Sequence, residues 1–313
     1  EGISSRISEM VSLPENIQEV EAQLLQFKEI AGDCLVFLNN IRKINVTTIE
    51  ENGQMKTEIE VSSKINNNPK LTKKEVMKAK KQRDAAVAQT ISYDLTISGK
   101  GIDERNYKVA WALKESPNKK SQSSGVALNM ELIRAGVKES GRLFVGLPIK
   151  ASIDLPALVC GNFELDPGRN SLKPESSWNT ELLSGVCVEA YVAMMEAVRN
   201  NIIEFQNVVN MDHSNPYGEA YHHLFPRPAT PSNTLFPFTK SFYLSIQEKE
   251  LVPCIFVDVD QKENEKSYFK FQPLKSSLII DEKKLGQEMN LLMKLRCPVV
   301  FFRYKCKSYT IAP

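Results

Sequence analysis

At Leu182 the spacing of the apolar residues changes. Between Ile91 and Phe163 they fall in short runs of strand character: Ile91 to Ile97, Tyr107 to Leu113, Leu143 to Ile149 and Ala157 to Phe163. Beyond it, Leu183, Val186, Cys187, Ala190, Met194, Ala197 and Val198 recur every three or four positions, which predicts a long helix reaching toward Phe205. A stripe that wide must be buried against another element. Strands followed by such a helix predict an α+β chain.

The rest of the chain fits around that helix. Ile17, Val20, Leu24, Phe27 and Ala31 predict an amphipathic helix that Gly32-Asp33 stops, followed by a core strand at Cys34 to Leu38. Ile41 to Ile49 and Lys56 to Val61 alternate, and Asn52-Gly53 between them is a hairpin signal. Thr72 and Glu75 have capping-box spacing and predict a helix to about Thr90. Its lysines read as a solvated face. Gly99 to Glu104 reads as a turn and Ser116 to Ser124 as a mobile loop. Pro216, Pro226, Pro228 and Pro231 crowd the stretch after the long helix. They place a boundary there, dividing the chain into 1–212 and 213–313. The second part predicts a small α/β layer: helix at Phe236 to Lys249, strands at Val252 to Val259 and Tyr268 to Phe271, helix at Glu282 to Leu295, strand at Val299 to Tyr304.

Charge narrows the partners. Lys plus Arg is 40 and Asp plus Glu is 38, a net of +2, which speaks against a nucleic-acid binder or a DNA-handling role. No apolar run approaches the roughly 20 residues that span a bilayer, so no membrane span is expected. Six cysteines lie far apart without a C-x-x-C, which predicts reduced, buried thiols and a cytoplasmic setting. The sequon at Asn45 is then not expected to carry sugar. The chain opens at Glu1 rather than Met, which predicts a piece excised from something longer.

Motifs of self-contained chemistry are missing. Gly99 and Gly101 give one GxG with Glu104 where a third glycine would stand, and there is no G-x-x-x-x-G-K-[ST]. The histidines are His213, His222 and His223, without metal-ligand spacing, so no metal site is expected. Asp258 and Asp260 share a strand face but read as a strand end entering an acidic loop. No G-x-S-x-G and no Cys-His pairing is present. An enzyme acting alone is not expected.

Four runs in order carry a resemblance: Gly141–Ile149 (GRLFVGLPI), Leu155–Asp166 (LPALVCGNFELD), Arg169–Leu172 (RNSL) and Trp178–Leu183 (WNTELL). Their order and spacing, with Cys34–Ile41 before them and Tyr221–Pro226 and Thr239–Tyr243 after, resemble the repeat region of the sacsin-like family. That family's repeats open with an ATP-binding domain of the GHKL type, related to the N-terminal domain of ninety-kilodalton heat-shock chaperones.

The resemblance implies that this chain is the portion after the ATPase. Asp166-Pro167-Gly168 is not the glycine loop of the nucleotide domain. The portion implied is a transducer with a ribosomal-protein-like, left-handed βαβ fold and a long helix, followed by the smaller α/β layer. It would couple the upstream GHKL domain to protein clients or chaperones, as a chaperone or co-chaperone segment. The segment itself would bind no cofactor; ATP and Mg belong to the upstream domain. Arg169 is the implied catalytic residue, a guanidinium lent to the γ-phosphate, and with Asn170 forms the implied nucleotide-contacting set. Asn170 and Asn179 are implied as loop-ordering side chains, while Trp178 reads as core packing. The alternative is a non-catalytic protein-interaction scaffold that keeps the fold without the coupling.

Overall fold

A computed structural model describes residues 14–38, 41–49, 53–66, 89–100, 102–115, 121–131, 141–209, 221–227, 229–259, 265–276, 278–281 and 299–302. The chain is α+β. Among these residues an eight-stranded, mostly antiparallel sheet carries a helix on each face, and a four-stranded sheet lies beyond.

Helix α1 (Pro14–Phe37) comes first, then strands β1 (Lys43–Ile49), β2 (Met55–Ile65), β3 (Gln89–Lys100), β4 (Ile102–Lys114), β5 (Gln122–Asn129), β6 (Gly141–Val145), β7 (Leu147–Ile153) and β8 (Leu158–Gly161). The sheet order is β1-β2-β3-β4-β5-β8-β6-β7, all antiparallel except β6 with β8. Helices α2 (Ser177–Ser184) and α3 (Val186–Val209) follow, then α4 (Phe236–Ser245). The second sheet has β9 (Glu250–Val259), β10 (Glu265–Pro273), β11 (Leu278–Asp281) and β12 (Val299–Phe302), in the order β10-β9-β12-β11. Its β11 and β12 run parallel. Residues 282–298, where the sequence predicts a helix, join them but lie outside the described residues, as do the capping-box segment, Asp260 and His213.

Alternation along the central strands sorts the side chains into two cores. Tyr107 and Val109 of β4, Ala127, Phe144 and Cys160 face α1, which seats Ala31, Leu35, Val36 and Phe37 on them. Ala110, Ala112, Val126, Leu128, Leu143 and Val159 face α3, which buries Val186, Cys187, Ala190, Tyr191, Met194, Val198 and Ile202. Both faces of β4 and β5 are thus dry, as a central strand between two helical layers requires. The α3 core continues into Tyr221, Leu224, Phe225, Phe238, Phe242, Leu251 and Phe271. Tyr191 donates to the Leu224 carbonyl at 2.7 Å and meets Phe238 and Phe242 edge-on. Residues 210–220 lie outside the described residues, and the segments on either side contribute to this one core.

Three local expectations are corrected. Gly32-Asp33 does not stop the first helix, which runs on through Cys34–Phe37 in place of a strand. Gly32 allows close approach instead: a Cβ there would stand 3.3 Å from Ile97 Cγ2. Asp33 accepts from Tyr107 Oη at 2.7 Å and Arg105 Nη1 at 3.3 Å, anchoring the helix to β4. The polar stretch to Ser124 is not all loop, because Gln122, Ser123 and Ser124 open β5. Gln89 and Thr90 belong to β3 rather than to a helix end. In addition, Leu143 to Ile149 is two strands, bent at Gly146, whose φ is +74°. The long helix is interrupted once, at Gly185 between α2 and α3.

Candidate functional site

Between β8 and α2 the chain makes a small closed hairpin. Leu165 bridges to Leu172, and Lys173 N donates to Glu164 O at 2.9 Å. Asp166 N donates to Ser171 O at 3.0 Å, and Arg169 N returns to Asp166 O at 3.0 Å. Asp-Pro-Gly has the composition of a tight turn, and the Asp side chain is suited to gather the amides beyond it. Its Oδ1 accepts from Asn170 N at 2.8 Å and Ser171 N at 3.2 Å, while Oδ2 accepts from Ser171 Oγ at 3.3 Å. These bonds, the Ser171 amide first, hold the Asp166 carboxyl below its ordinary pKa.

The turn is fastened to α2 from below. Ser176 caps the helix, accepting from Asn179 N at 3.1 Å, and donates to Glu164 Oε2 at 2.9 Å. Asn179 is buried and reaches both stems of the hairpin. Its Oδ1 accepts from Glu164 N at 2.8 Å, and its Nδ2 donates to Glu164 O at 2.8 Å and Lys173 O at 3.4 Å. Only this amide orientation satisfies all three contacts. Trp178 is half-buried against the α3 core and donates from Nε1 to Asn162 O at 2.9 Å.

Arg169 stands at the apex. It is exposed, at φ +54°, in the left-handed region that residues with a Cβ rarely occupy. Its guanidinium has no hydrogen bond or ion pair among the described residues. Asn170 beside it is exposed as well, its backbone N–H taken by Asp166. The structure thus brings Arg169 and Asn170 together on one fixed turn. Asn179 lies underneath as a clamp and Trp178 beneath that, at the margin of the core.

A search of curated proteins finds a relative, human Sacsin, 25% identical over 224 residues. The chain is similar to it over 61% of its own length. It spans 5% of that protein's length. No protein-family model matches the chain, and no solved structure matches it.

Neither periodicity nor the resemblance singles out Asp166 or Ser176 as a functional residue. The Asp-Pro-Gly spelling and the position of Ser176 ahead of α2 were the available signals. Among the described residues, Cys34, Cys160, Cys187 and Cys254 are buried thiols outside any disulfide. Burial pushes the thiols of Cys34 and Cys160 up to about 11 and that of Cys187 to about 12. Among the described residues no group of His, Cys, Asp or Glu is placed to hold a metal ion. No described helix is long and apolar enough to cross a membrane. Gly99 of the GxG lies in β3, paired with Ile102 of β4, where a Cβ would run into Glu60 O.

Proposed function

We propose that this chain is the middle, transducer-type segment of a sacsin-like, chaperone-related protein of the cytoplasm. In this reading it follows an ATP-binding domain of the GHKL type and couples that domain's nucleotide state to protein partners. The left-handed βαβ arrangement and the 212/213 division belong to the same reading. Its support is the similarity to Sacsin together with one observation: an exposed guanidinium, without a partner among the described residues, on a turn whose backbone is fixed from two sides.

The chemistry follows from the arrangement. During phosphoryl transfer, negative charge is spread over the terminal oxygens. A cation already in place stabilises that charge without reorganising, and a guanidinium can do so with two parallel hydrogen bonds. Arg169 supplies this group to a triphosphate held by the neighbouring domain, and Asn170 flanks it. The nucleotide and its Mg stay with that domain, and this segment binds neither alone.

ATP turnover by the longer polypeptide, ATP-binding domain included, tests the reading. Arg169→Ala lowers kcat by at least about tenfold, and Arg169→Lys restores part of it because charge returns without the fork. Equal turnover in wild type and Arg169→Ala removes Arg169 from the mechanism. The second reading, an interaction scaffold, draws on Ile49 (68% exposed) and Met55 (75% exposed), which face each other across the β1–β2 hairpin. Under it, Ile49→Asp with Met55→Asp abolishes partner capture while leaving ATP turnover intact.

A further inference from the structure

We infer that Asp166 is a positioning residue for Arg169, and that Asn179 carries the same restraint down to α2. The inference rests on the role given to Arg169 above and names what holds that residue ready.

An exposed arginine on a free loop samples many backbone and side-chain states, and freezing them at the moment of contact costs conformational entropy. Here the backbone part is settled in advance. Asp166 takes the amides of Asn170 and Ser171 and the hydroxyl of Ser171, and its own carbonyl takes the amide of Arg169. Those bonds enclose Arg169 and keep it at φ +54°, a conformation it would not hold unaided. The carboxylate makes no contact with the guanidinium among the described residues, so it fixes the backbone without neutralising the charge. Asn179 closes the other end, gripping Glu164 and Lys173, the two stems of the same hairpin. The stems are nine residues apart in sequence, and one buried amide from α2 spans them. The guanidinium is therefore carried by a rigid bracket based on a helix packed into the main core.

The test is a double-mutant cycle on ATP turnover by the longer polypeptide. Asp166→Ala lowers kcat about five- to twentyfold while KM for ATP moves less than about twofold, because the loss falls on the transition state. Asp166→Asn keeps an oxygen for the two amides and recovers most of the rate. In an Arg169→Ala background, Asp166→Ala causes no further loss, which a merely structural defect would not reproduce. Asn179→Ala repeats the pattern at a second position. A loss of the same size in both backgrounds overturns the inference, as does an unaffected Asp166→Ala enzyme when Arg169→Ala is impaired. An unaffected Arg169→Ala enzyme overturns the inference together with the reading beneath it.

Discussion

Asn179 is the best place to test whether the hairpin is held as described. The side chain is 4% exposed and makes three hydrogen bonds to backbone, at 2.8, 2.8 and 3.4 Å. Asn179→Ala removes all three and strips Glu164 N of its side-chain acceptor. At about 1 kcal/mol net for each good bond and less for the longest, the loss is about 2–3 kcal/mol. Asn179→Asp keeps the acceptor for Glu164 N but points an oxygen at the carbonyls of Glu164 and Lys173. Its cost at neutral pH exceeds that of the alanine variant, about 3–5 kcal/mol. The sign of the pH dependence follows. Burial against carbonyls raises the new carboxyl's folded pKa above its unfolded value near 4. The acid form can donate to Glu164 O, so the aspartate variant is closest to wild type below about pH 4 and loses stability as pH rises from there. Urea unfolding read by tryptophan fluorescence suits the question, because one of the chain's two tryptophans is Trp178, the adjacent residue. An alanine variant within about 0.5 kcal/mol of wild type, or an aspartate variant whose deficit ignores pH, refutes the clamp.

Three further outcomes are expected. The Asp166 carboxyl is held below its ordinary pKa chiefly by the Ser171 amide, so its contribution is present above the unfolded pKa near 4 and fades as pH falls through the lowered folded value. Asp166→Asn therefore flattens part of the acid limb of a stability–pH curve, and an unchanged limb counts against these bonds. Cys34, Cys160 and Cys187, with thiols at about 11, 11 and 12, resist iodoacetamide in the native chain at pH 8 and react in urea, as peptide mass spectrometry will show. Arg169→Gly and Glu175→Gly both relieve a positive φ, +54° and +55°, and each leaves stability unchanged or raised by up to about 1 kcal/mol. In the longer polypeptide only the first lowers ATP turnover.

Alternation made β1 and β2 legible, while short apolar runs marked β3, β4 and β8, of which β4 and β8 bury residues on both faces of the sheet. It failed where packing demands small or polar residues. Ser124 of β5 looks like loop, yet its Oγ donates to Cys160 O at 2.9 Å, and beside it a Cβ on Gly125 would meet the Trp111 ring at 2.8 Å. The end of α1 misled for the opposite reason. Four apolar residues in a row suit a buried strand, but a helix end enclosed on several sides also buries them all: Phe37 meets both Trp111 and Phe144. At the site, Arg169 and Asn170 were named through motif resemblance. The bonds that fix their turn run from Asn179 to Glu164, fifteen positions away, and such a pairing leaves no trace in periodicity.

The placement of two left-handed residues argues for what the turn is for. Arg169 and Glu175 both sit where glycine would be less strained, and both are exposed, so neither is kept there by a core. Glu175 lies next to the Ser176 cap, where the chain must turn sharply into α2. Its conformation is accounted for by the path of the chain. Arg169 has no such account: the hairpin closes through Asp166, Ser171 and the Leu165–Leu172 bridge, which need only that some residue occupy the apex. Stability alone favours glycine at that apex, and the role proposed for Arg169 toward a neighbouring domain gives an arginine there a purpose. In the proposed reading, an anionic group presented by a neighbouring domain is the simplest partner for a guanidinium that rises from a fixed turn and has no partner among the described residues.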